Sequence, residues 1–132
     1  MERRTIMKLR QIFTINVVCA TFFGLTCLFV PQWLFSLYGS ELGDAGVYMT
    51  RLGGAAYLAF ATLTWLARNA ESKEMRLNLA LALFIQDLIG VIVSIHGQIT
   101  GVMNWFGWST VFVYLFLALG YGYFRFFKPS AA

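Results

Sequence analysis

Charge is what this sequence has least of. Only 12% of its 132 residues are charged, roughly half the 25% or so of an ordinary soluble domain. The charges lie mostly outside four apolar runs, which excludes a water-soluble globule and points to a chain that meets lipid. Six acids, one histidine and two cysteines also leave little for catalysis. No HExxH, no P-loop and no serine or cysteine nucleophile paired with a base is present. Cys19 and Cys27 fall in one helical run, roughly 12 Å apart along its axis, too far for a mutual disulfide. The absence of a Cys-x-x-Cys argues against thiol redox work. Nothing here calls for a metal or a cofactor. The net charge of +4 does not indicate nucleic acid, because the basic residues flank the hydrophobic runs and form no separate patch.

What is present is apolar length. Hydrophobic residues make up 59% of the chain and aromatics 17%. Four spans of about 12–30, 45–67, 77–99 and 105–127 are expected, each long enough to cross a bilayer. They account for most of the chain, so residues 1–132 read as a single domain. The basic start followed by an apolar run has the order of a signal peptide, but the run is longer than the usual 7–15 residues or so and no A-x-A-like site follows. Pro31 opens a short interfacial helix over about 31–38, with Leu34, Leu37 and Tyr38 on one face and Gly39 as a left-handed cap. A proline-kinked continuation of the first helix is the alternative. Asp44 is a suitable N-cap for the second span and Ser72 for the third. Gly53, Gly54, Ala55, Ala56, Ala59 and Ala61 make the second span rich in small residues, which permits close helix approach in lipid.

The loops predict an orientation. Arg3, Arg4, Lys8 and Arg10, then Arg68, Lys73 and Arg76, then Arg125 and Lys128 fall on one side of the four spans. Glu41 and Asp44 fall on the other. By the positive-inside rule both termini are cytoplasmic. Trp33, Tyr48, Trp105 and Trp108 then mark the outer interface, and Trp65, Tyr121 and Tyr123 the inner one.

Two charges lie well inside the spans. Asp87 sits at the middle of LNLALALFIQDLIGVIVSIHGQI, where a charge costs about 2.5–3.5 kcal/mol on insertion scales and marks a functional or partnered site. Gly90, Ser94, Gly97 and Gln98 recur with it at helical spacing, so one stripe of that helix must face protein or water. Arg51 is the expected partner, through a stripe of Arg51, Ala55, Ala59 and Thr62 packed against the third span. The pair reads either as a buried bridge fixing helix register or as part of a headgroup or proton site. Tyr114 is placed to reach Asp87. Asn16 and Tyr114 are also candidates for hydrogen bonds across helices. His96, on nearly the opposite side of its helix from Asp87, reads as an interfacial or backbone-bonded histidine. Asn104 opens the fourth span as a tight turn, or else floors a cavity with Arg51 and His96.

The segments PQWLFSLYG, RLGGAAYLAFATLTWLARNA and QDLIGVIVSIHGQITGVMNWFGWS, in this order, resemble the small four-helix bacterial membrane proteins grouped as DoxX-like. That resemblance implies an all-α, up-down-up-down bundle of four transmembrane helices in a bacterial inner membrane. The function expected is a non-enzymatic accessory or amphiphile-binding subunit, with a ligand or ion-pair site of Arg51, Asp87, Tyr114, Ser94, Asn104 and His96. The rival is a small proton- or ion-coupled transporter using Asp87. The partners expected are membrane lipids and further copies or subunits of a membrane complex.

Overall fold

The computed structural model describes residues 8–131, and every regular element in it is helical. Helix α1 runs Leu9–Phe29, α2 Pro31–Leu37, α3 Asp44–Arg68 and α4 Lys73–Ile99. A 3-10 turn at Trp105–Gly107 leads into α5, Trp108–Gly122, which passes into a π turn at Tyr123–Phe127. Arg3 and Arg4, part of the expected basic N-terminal cluster, lie outside the described residues.

Local chemistry sets the breaks. Pro31 has no N–H to continue α1, and Val30 leaves helical geometry at φ −135°, ψ 53°, so α2 starts as a separate helix rather than a kinked extension. It ends at Gly39, whose φ of +74° is the left-handed cap. Leu34 and Tyr38 are buried beneath α2, while Leu37, expected on the same face, is exposed. Ser72 caps α4 by accepting from the Met75 N–H at 3.2 Å. Asp44 does not cap α3: Gly43 holds that position, and the acid sits in the first turn, where its charge still favours the positive end of the helix dipole.

Three stretches are long and apolar enough to cross a membrane: Leu9–Phe29, Lys73–Ile99 and Trp105–Phe127. Helix α3 has the length, at 25 residues, but Asp44, Arg51, Arg68 and its threonines and glycines dilute its hydropathy. Large apolar side chains are exposed all around the bundle, among them Val18, Phe22, Leu63, Ile92, Phe112 and Leu119. A water-exposed monomer rarely carries so continuous an apolar surface.

Helix α1 lies along α3 and α4 lies along α5, while α3 and α4 touch at few positions. The α1–α3 crossing depends on two glycines. A Cβ built on Gly54 would stand 2.8 Å from the Gly24 carbonyl oxygen, and one on Gly24 would stand 2.9 Å from Leu58. At one end of this pair, Arg10 donates to Asn69 at 3.5 Å. A core of Leu9, Ile12, Phe13, Ala80, Tyr121 and Phe124 fills that end of the bundle. A smaller cluster of Cys27, Leu34 and Tyr38 fills the other. There the two loops are tied by Asn104, whose N–H donates to the Tyr38 carbonyl at 2.8 Å.

Candidate functional site

Between the two apolar clusters lies a polar layer, and Asp87 is its centre. The residue is 2% exposed, and its Oδ2 is buried without a hydrogen-bond partner. It lines a chamber of about 40 Å³ together with Asn16, Cys19, Tyr57, Thr110 and Tyr114. Since one water needs roughly 10–15 Å³ of such space, the chamber has room for about three or four. On its far side the Asn16 amide donates to the Tyr121 hydroxyl at 2.7 Å, both residues being buried. That bond satisfies two polar groups which would each be costly to bury alone.

Toward the other end the chamber borders a much larger space. The hydroxyls of Tyr57 and Tyr114 are 2.6 Å apart, joining α3 to α5. Both tyrosines, with Phe23 and Thr110, also line a cleft of about 490 Å³. The cleft opens where α3 and α4 diverge, and its walls include Thr50 and Gly53 of α3 and Gly90, Ser94 and Gly97 of α4. Its size is within the range of small-molecule pockets, about 300–1,000 Å³. Gly90 is what lets Tyr114 lie against α4, because a Cβ there would stand 2.5 Å from the ring. The cleft carries a second orphaned acceptor. Gln98 donates through Nε2 to the Asn104 carbonyl at 3.0 Å, while its Oε1 is buried without a partner.

The stripe read from the sequence therefore faces inward: Asp87 meets the chamber, and Gly90, Ser94, Gly97 and Gln98 meet the cleft. Ser94 spends its hydroxyl on its own helix, donating to the Gly90 carbonyl at 2.7 Å. Tyr114 reaches Tyr57 rather than Asp87. His96 is exposed and stands in the cleft wall.

Arg51 does not join them. It is exposed, as are Ala55, Ala59 and Thr62, so the stripe expected against the third span faces outward. Instead, the buried face of α3 is Gly54, Ala61, Thr64 and Ala67. Arg51 lines a surface groove with Gln32, Trp33, Asp44 and Tyr48, and among the described residues no ion pair links it to Asp87. Asn104 is a structural knot. Its side chain donates to the Leu37 carbonyl and accepts from the Phe106 N–H, each at 3.0 Å.

The sequence pattern gives Tyr57 no partner and marks Gln98 only by its place in the stripe. Tyr57 was legible in principle as a phenol on a helix otherwise rich in small residues. Tyr121, read from sequence as an interfacial aromatic, is wholly buried. Among the described residues no group of three or more His, Cys, Asp and Glu side chains could hold a metal ion.

These features define a class: an all-helical protein with three membrane-length apolar helices and a buried, unpartnered carboxylate beside an open cleft. Within that class the chain belongs to the family described as Domain of unknown function (DUF8292), whose model matches residues 2–124. No curated protein and no solved structure matches it significantly.

Proposed function

We propose that this is a four-span, up-down-up-down protein of a bacterial inner membrane, with both termini cytoplasmic, that holds an amphiphile in the cleft between α3 and α4. It acts by binding, as an accessory protein or subunit, with membrane lipids as its partners and further copies or subunits beside it. The DoxX-like likeness in the sequence pattern agrees with this architecture. The observation that carries the reading is the cleft itself, a wide apolar space with phenol hydroxyls and a glutamine amide at its inner surface. Apolar walls with a few convergent polar groups are the usual composition of a ligand site. A bilayer supplies amphiphiles at high local concentration.

The second reading, a proton- or ion-coupled transporter, draws on the Asp87 chamber. It needs a water path to Asp87 from both ends. The basic end is packed by Leu9, Phe13, Tyr121 and Phe124, each at most 2% exposed, which favours access from one side and hence binding.

The test is to fill the cleft. A Cβ added at Gly53 meets nothing within 4 Å, so Gly53→Trp occupies the space without a backbone clash. Mass spectrometry of gently purified protein should find an amphiphile bound to the wild type and lost from the variant, with the helical circular dichroism of the two unchanged. The same bound complement in both, or a wild type that carries nothing, would reject the reading.

A further inference from the structure

The cleft and the chamber share a wall of Phe23, Tyr57, Thr110 and Tyr114, and across it the Tyr57 and Tyr114 hydroxyls are bonded to each other. Both tyrosines are only partly buried. If either hydroxyl swings away, the 490 Å³ cleft and the 40 Å³ chamber become one L-shaped site. Its long arm is apolar, and its short arm ends on a carboxylate.

The buried polar atoms left without a partner in the walls of this site share one sign. The two orphaned buried atoms in its walls, Asp87 Oδ2 and Gln98 Oε1, are both acceptors. The Gln98 amide is oriented by its own Nε2 bond to the Asn104 carbonyl, so its oxygen cannot be exchanged for a donor without breaking that bond. Acidic and acceptor groups call for a ligand head that donates and is positive. A carboxylate or phosphate head would bring more acceptors to acceptors and repel Asp87. Phe23, Tyr57 and Tyr114 line the passage, and aromatic faces attract a cation. The chamber holds only about three or four waters' worth of space, which suits a primary ammonium and not a bulky quaternary one.

We infer that cleft and chamber form one site for an amphiphile with a primary ammonium head, its chain in the cleft and its head passed between Tyr57 and Tyr114 to Asp87. This rests on the cleft being a binding site and adds the chemistry of the head. The Tyr57–Tyr114 bond is the latch that separates the head position from the cleft when the site is empty.

The probes are decylammonium, decyltrimethylammonium, decanol and decanoate. They are titrated against the full-length protein in detergent near neutral pH, with thermal stabilisation read as apparent affinity. The wild type should bind decylammonium at least about tenfold more tightly than the other three, the discrimination expected of one charge-assisted hydrogen bond. Asp87→Asn should bring decylammonium down to the level of decanol. The trimethyl probe makes the test independent of that variant's folding, because a head with no N–H and no fit to the chamber should lose the advantage on the wild type itself. Equal binding of decanol and decylammonium overturns the inference and leaves the cleft reading standing. So does a preference that survives Asp87→Asn or extends to the quaternary head. Tightest binding of decanoate overturns it as well. Failure of all four probes to bind overturns both.

Discussion

Among the described residues, Asp87 and Arg51 are the two charges carried well inside helices, and they end in unlike places. Asp87 is buried with an unpartnered oxygen beside a small chamber. Arg51 is exposed beside Trp33 and Tyr48, where its long side chain can lay its stem on apolar surface and keep its head toward an interface. Residues without shared partners contribute to stability additively, within about 0.3–0.5 kcal/mol. A double-mutant cycle of Arg51→Leu and Asp87→Leu, read by unfolding in detergent, should therefore give a coupling energy within about 0.5 kcal/mol of zero. A coupling of about 2 kcal/mol or more would restore the ion pair that their depths in the sequence suggest. Depth was legible because it follows from helix rise along a single run. Facing was not, because Arg51 sits on a helix with small residues on every side, and no apolar stripe marks which side is buried. The partner of Tyr114 was hidden for the same reason: Tyr57 lies on that same helix.

At the scale of elements, the sequence speaks most clearly where a residue acts on its own backbone. Pro31 ends α1, Gly39 takes the left-handed conformation, and Ser72 caps α4. The packing face of α3 depends instead on its neighbour. Gly54 lies directly against the backbone of α1, whereas Ala55, the next residue in the same small-residue run, is exposed. Replacing each by leucine should separate them. Gly54→Leu forces the α1–α3 crossing apart and should cost about 1–3 kcal/mol or more, as overpacking does. Ala55→Leu should stay within about 0.5 kcal/mol of the wild type. Unfolding in detergent measures both, and equal losses would mean that α3 turns a different face to α1. The divergence of α3 from α4, which makes the cleft, has no local sequence signature. It follows from α1 pairing with α3 and α4 with α5, a choice between helices that are all apolar enough to pack.

For the whole molecule, the proposed architecture turns on α3. Composition alone qualifies α1, α4 and the Trp105–Phe127 stretch as membrane spans. If α3 also crosses, then the loop after α2 and the loop before α4 lie on opposite sides, and the cleft opens on the side away from both termini. If α3 lies along the surface, the two loops share a side. Exposed positions on either side of α3 decide between these. Ser40 and Ser72 are unsuitable, since Ser40 bonds to the Val102 carbonyl and Ser72 caps α4. Glu41 and Glu71 are exposed and serve instead. Single cysteines introduced as Glu41→Cys or Glu71→Cys, in a background carrying Cys19→Ala and Cys27→Ala, are treated in intact cells with a membrane-impermeant thiol reagent. A four-span bundle with cytoplasmic termini predicts labelling at position 41 and none at position 71 until the cells are opened. Labelling of both from the same side would place α3 outside the set of spans and contradict the architecture on which the cleft depends.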